Sequence, residues 1–323
     1  MIYSISGVGY AGAGAYYDLL CEYNNIDHTP NLFELGILYE PDGVIDLVNK
    51  LKYNNSKIMS YVPISRFLHL ARFYNDYHWF RKYTNGFLYN LSLDFINSLD
   101  ILTTKGYQYH EYANQTLDER IKLMLNRRFL SKISKATHKD LCFDVTHEMT
   151  ICLDASNIEQ KAKEYMTDLL NHFRINPNND LLIKHICPPD MPYICLPYLP
   201  DDFRQISVNR DPRDLYILGK RNHTSDFPCS NVVDFVRYYR ATIERQKTTE
   251  RVLYVYFEDL CYKYEETVEN IEDFCKLNKS AKGERVFHPE QSINNTQLYI
   301  KYKEYADDVK YIEDHLADFL YRY

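Results

Sequence analysis

The chain has 323 residues, 45% of them hydrophobic and 26% charged, enough apolar material for a sizeable core in one large or two smaller domains. Its net charge of −7 excludes the broad Lys- and Arg-rich surface that a nucleic acid or an anionic membrane needs, and leaves room only for a local basic pocket. The eight cysteines form no C-x-x-C pair and no zinc spacing, and no apolar run approaches the roughly 18 residues of a membrane span. A cytoplasmic chain with reduced thiols, no membrane span and no metal is expected.

Ile2, Tyr3 and Ile5 predict a short strand, broken by Gly7, Gly9, Gly12 and Gly14, with a helix resuming over Ala15–Leu20. Beyond the Pro41-Asp42-Gly43 turn, residues from about 50 to 135 are aromatic and charged, and read as helices laid over a sheet. In that stretch LDERIKLMLNRRFL carries Leu117, Ile121, Met124 and Leu125 on one helical stripe, and RFLHLARFYNDYHWFRKY (66–83) interleaves aromatics, including Trp79, with His69, His78 and basic residues. Ser156-Asn-Ile-Glu159 has capping-box spacing, and an apolar face from Ile158 to Phe173 predicts a helix over Asn157–Phe173. Strands follow at LLIKHI (181–186), at QISVNRD ending on Arg210, and at RVLYVYFEDL (251–260). One helix before the last strand is marked by Val232, Val236, Tyr239 and Ile243, the next after it by Val268, Ile271, Phe274 and Cys275, and a helical tail by Val309, Ile312, Leu316 and Phe319. Strands alternating with helices predict an α/β domain over 1–323, a parallel sheet flanked by helices, with about 50–180 as a helical insert or lid within it.

A strand feeding a glycine-rich loop that opens a helix presents bare backbone N–H groups and a helix dipole to an anion, so the first 20 residues read as a phosphate cradle. Gly7-x-Gly9-x-x-Gly12 satisfies the dinucleotide fingerprint of an NAD(P)-dependent oxidoreductase, and Glu34 stands near the place of its ribose-binding acid. A Walker A loop matches Gly7 and Gly12 but finds Ala13-Gly14 in place of its lysine and hydroxyl, which argues against a metal-dependent triphosphatase.

The third reading comes from the centre of the chain. ISVNRDPRDL (206–215) resembles the 3′-phosphate motif of the sulfotransferases, a strand ending in R-[DN]-P-[RK]-D. IKHICPP (183–189) is similar to that family's strand ending beside a catalytic histidine. VLYVYFEDLCYKYEETVENIEDFCKL resembles its strand, "YEDL" turn and helix, and FHPEQSINNTQLYIKY the C-terminal segment of bacterial members. The blocks stand in the family's order, while about 50–180 has no clear counterpart.

The resemblance implies a P-loop-like sulfotransferase fold and transfer of a sulfuryl group from 3′-phosphoadenosine 5′-phosphosulfate (PAPS) to an acceptor hydroxyl without a metal. The acceptor expected is a carbohydrate or surface polysaccharide. It further implies that the loop residues Gly9, Tyr10, Ala11, Gly12, Ala13, Gly14 and Ala15 hold the 5′-phosphosulfate, and that Arg210 holds the 3′-phosphate. Arg213 is either a second phosphate contact or a partner of Asp211 or Asp214. His185 is the implied general base, with Lys184 on the opposite face of a regular strand or turned into the site at its end. The loop lysine and a serine of many members are replaced by Tyr10 and Leu218; Tyr10, Lys184 or Lys220 is left to substitute, or else the chain binds nucleotide without turnover.

Overall fold

The computed structural model describes residues 1–53, 56–108, 111 and 116–323, apart from the side chain of Trp79, so the reading of Trp79, as core or subunit-contact packing ahead of stacking on a sugar ring, lies outside the described residues. In chain order the strands are β1 (Ile2–Gly7), β2 (Ile26–His28), β3 (Asp100–Gly106), β4 (His147–Asp154), β5 (Asp180–Lys184), β6 (Phe203–Asn209) and β7 (Val252–Tyr256). Among the described residues five of them form one sheet in the order β2-β5-β1-β6-β7. Every pairing in it is parallel, with Ile2 opposite Leu181 on one side and Phe203 on the other. β1 is buried along its whole length, which is what a central strand covered on both faces requires.

Side-chain alternation along these strands feeds two cores. Ile2, Leu181 and Ile183 point into one, beneath the helices Val44–Tyr53, Tyr61–Asp76, Phe87–Asn97 and Ile158–His172. Tyr3, Ile5, Leu182, Ile206 and Val208 point into the other, against the first helix, Ala13–Leu20, and the helix Tyr264–Cys275. The expected parallel sheet with helices on both faces is therefore what forms. Among the described residues, no helix is long and apolar enough to cross a membrane.

Three expectations are corrected. The helix over 157–173 forms as Ile158–His172, with Ile158, Ala162, Tyr165 and Leu169 buried, but Ser156 does not cap it. Its hydroxyl donates instead to Asp154 Oδ2 at 2.9 Å, and the preceding Asn157 makes no side-chain cap. The Leu117–Leu125 helix also forms, yet none of its residues is buried and Leu117 is 76% exposed; a capping box of Thr116 and Glu119 starts it instead of core packing. Finally, 50–180 is not all helical. β3 and β4 pair antiparallel from Ile101↔Cys152 to Gly106↔His147, and Met149 and Ile151 pack on Tyr61.

Candidate functional site

Parallel strands all end on the same side of a sheet, so the residues that follow them share one edge. Here those residues line a single cavity of about 720 Å³. The turn after β1 contributes Gly7 through Ala15, the end of β5 contributes Lys184 and His185, and the ends of β6 and β7 contribute Arg210 and Phe257.

The loop is shaped by two left-handed residues, Tyr10 (φ 67°) and Gly12 (φ 93°). At Gly12 glycine is required twice over. The backbone is in the region that side chains disfavour, and a Cβ there would lie 2.5 Å from the Phe257 ring. The Ala11 N–H is satisfied by Val8 O at 2.9 Å and that of Ala15 by Gly12 O at 3.0 Å. Those of Gly12, Ala13 and Gly14 meet no acceptor among the described residues. These are the orphan donors of a helix start, carrying the positive end of its dipole. Beside them the wall is open, for a Cβ on Gly14 would find its nearest neighbour in Asn31 Nδ2 at 3.7 Å.

Arg210 closes the loop from the far side. It is 4% exposed, and its Nη1 donates to Tyr10 O at 2.9 Å while Nη2 donates to Asn295 O. The guanidinium lies 4.6 Å from the Phe257 ring centroid, and its Nε is buried with no partner among the described residues. Asp211 caps the helix Pro212–Arg221 through the Arg213 N–H at 2.8 Å. It also takes the Arg213 guanidinium, Nη2 to Oδ2 at 2.6 Å, whose Nη1 reaches Glu313 at 2.9 Å. Arg213 is not among the residues lining the cavity and sits in the ion pair with Asp211, one of its two expected places. Beneath Arg210, burial pushes the Glu258 carboxyl up to about 8, and its Oε1 accepts the Asp211 N–H at 3.0 Å.

Strand alternation would put Lys184 and His185 on opposite faces. It fails at His185, whose φ of 55° ends β5 and turns both side chains to the cavity. The His185 N–H still donates to Ile5 O at 3.1 Å, so the turn is tied to the central strand. Lys184 is 7% exposed; its Nζ donates to Asn31 O at 3.0 Å, to Asn31 Oδ1 at 3.1 Å and to Glu34 Oε1 at 3.2 Å. The same Glu34 oxygen lies 3.5 Å from His185 Nε2. Burial holds the imidazole below its ordinary value, with the Glu34 carboxylate pulling it up and the Lys184 ammonium pushing it down.

Glu34 is therefore engaged by two side chains instead of standing free for a ribose. The sheet order also places β5, not β2, beside β1, which departs from the dinucleotide-binding order. Among the residues missed in the sequence, Asn31 anchors Lys184, Phe257 fills the space beside Gly12, and Asp226 faces the loop at Gly9. No spacing rule marks them, because each reaches the site from a different connection. Leu218 lines the cavity, whereas Lys220 is held outside it on Ser230 O at 3.1 Å. The lining cations Lys184 and Arg210 are matched by the carboxylates Glu34 and Asp226. No cluster of three or more potential metal ligands occurs among the described residues. From the aromatic stretch 66–83, His69 and Arg72 line a separate groove of about 300 Å³ with Tyr61, Tyr89 and His147.

No protein-family model matches the chain, and no curated protein does. Among solved structures it is similar to a sulfotransferase domain from the curacin biosynthetic pathway, at 13% identity over 98% of this chain and 97% of that one, with a TM-score of 0.35.

Proposed function

We propose that the chain is a sulfotransferase that takes PAPS as donor and an acceptor hydroxyl, on a carbohydrate or surface polysaccharide, as its target. The observation that carries this reading is the meeting of distant motifs: the Arg210 guanidinium sits 2.9 Å from the carbonyl of Tyr10, 200 residues earlier in the chain, on the wall of a cavity shared with His185.

The cavity has features that suit a phosphorylated nucleotide. Three N–H groups at a helix start that meet no acceptor among the described residues, and the open wall at Gly14, form a cradle for one anion. The Arg210 guanidinium on the cavity wall brings a cationic group toward another. When bound, the donor supplies a sulfuryl group on a phosphate that can leave. Gly12, Ala13 and Gly14 bind the 5′ end through main-chain donors, since the alanines bring no hydroxyl, while Gly9, Tyr10, Ala11 and Ala15 shape the loop around it. Arg210 holds the 3′ end. Lys184 takes over the charge that the family's loop lysine supplies, because Tyr10 cannot and Lys220 points elsewhere. His185 accepts the proton of the acceptor hydroxyl. Its lowered pKa keeps the ring neutral near pH 7, as a base must be.

Calorimetry with 3′-phosphoadenosine 5′-phosphate tests the cavity, and transfer of label from PAPS to an acceptor tests the reaction. Absence of saturable binding refutes the proposal. A second reading, a nucleotide-binding chain without turnover, is favoured by Tyr10 and Leu218 in place of the lysine and serine; it gives binding without transfer.

A further inference from the structure

We infer that Glu34 is the positioning residue of this cavity, one carboxylate oxygen that restrains Lys184 and aims the imidazole of His185. The inference rests on the reading above for its catalytic meaning, but its geometry is independent of it. Glu34 Oε1 lies 3.2 Å from Lys184 Nζ and 3.5 Å from His185 Nε2, so a single atom serves two groups assigned to chemistry. The pairing is built into the backbone. Glu34 forms a parallel bridge to Lys184, and the Leu35 N–H donates to Lys184 O at 3.3 Å, so the segment after β2 runs alongside the end of β5. The backbone register brings the Glu34 Cα beside the end of β5, so its side chain needs to span only a short distance to both groups.

Two consequences follow from the placement. A carboxylate facing Nε2 favours the tautomer with its proton there, which leaves Nδ1 with the lone pair that receives a proton. The same carboxylate compensates Lys184 until an anionic ligand competes for the ammonium. Glu34 and Lys184 are the charged groups acting on His185, and Arg210 and Asp226 stand elsewhere on the cavity wall. Removing the Glu34 charge therefore lowers the His185 titration midpoint, because the pull that raises it is lost while burial and Lys184 remain.

The test uses the full chain with Glu34→Gln, Glu34→Asp, and Glu34→Gln combined with Lys184→Met. The Glu34 side chain is 50% exposed, so the glutamine variant keeps the fold. Imidazole NMR titration reads His185 directly, and calorimetry reads 3′-phosphoadenosine 5′-phosphate. Expected for Glu34→Gln are a lower His185 midpoint, about 3- to 10-fold tighter nucleotide binding from the released ammonium, and slower transfer whose acid limb moves to lower pH. Glu34→Asp restores part of each, and Lys184→Met abolishes the tightening. An unchanged His185 midpoint overturns the inference, as does weaker nucleotide binding in step with a fall in melting temperature, the mark of a purely structural residue. If the unmodified chain binds no nucleotide, the sulfotransferase reading fails, and the titration alone decides the role of Glu34.

Discussion

Replacing Arg210 by alanine separates recognition of a 3′-phosphate from support of the loop. The guanidinium is desolvated, with one donor on Tyr10 O, one on Asn295 O and Nε without a partner among the described residues. A unit charge about 4 Å from a phosphate charge is worth about 4 kcal/mol at an effective dielectric near 20. Part of that is already spent, because two of the guanidinium's donor groups are committed to carbonyls, so a net loss of about 2–4 kcal/mol is expected. This corresponds to an affinity roughly 30- to 1,000-fold weaker. Alanine also leaves two carbonyls short of a donor and lowers stability by about 1–3 kcal/mol, so binding is measured well below the melting temperature. Calorimetry then compares 3′-phosphoadenosine 5′-phosphate with 5′-AMP, which lacks the 3′ group. The expected result is a loss confined to the bisphosphate. Equal losses for both nucleotides refute the assignment and leave Arg210 as a brace for the loop alone.

His185→Ala is expected to reduce transfer by at least about 100-fold while leaving nucleotide affinity within about 3-fold, checked by steady-state rates beside calorimetry. Gly12→Ala drives a methyl into the Phe257 ring at a left-handed backbone position, so it lowers stability by about 1–3 kcal/mol and nucleotide binding with it, read by thermal melts and titration. Glu258 supplies the pH dependence. Burial raises its carboxyl from 4.5 to about 8, so the folded chain keeps a proton that the unfolded chain has released between those values. The stability carried by the protonated form is complete below 4.5 and is lost as pH climbs through 8. Glu258→Gln, which preserves an acceptor for the Asp211 N–H, is expected to raise the melting temperature at pH 8.5 and leave it nearly unchanged at pH 5.

The parts of the site that were legible in the sequence are those whose chemistry is local. Glycines in a strand-to-helix turn announce bare backbone whatever surrounds them, and Arg210 follows a strand whose apolar run is plain. What escaped depends on tertiary placement. The left-handed residue at His185 overrides the alternation that would separate it from Lys184, and a lone histidine in a sequence carries no sign of its φ. Glu34 sits near the distance that a dinucleotide acid requires, yet the strand lying beside β1 decides its partners, and that is a property of the sheet order. β3, DILTTKG, is polar and mostly exposed, so it lacks the apolar signature of a strand and is held by its ladder to β4. The stripe on Leu117–Leu125 shows the converse, a periodicity that forms a helix without a core to receive it.

The position of β1 between two much later strands bears on how the protein is made. Ile2 pairs with Leu181 and Phe203, so in a growing polypeptide β1 has neither neighbour until the residues from about 180 onward have left the ribosome. Until then the Ile2–Ile5 segment is an unpaired apolar edge, a candidate for chaperone capture, and such long-range parallel closure is slow. Loop and guanidinium are brought together by that same late closure, since Arg210 follows directly on the strand that pairs with β1.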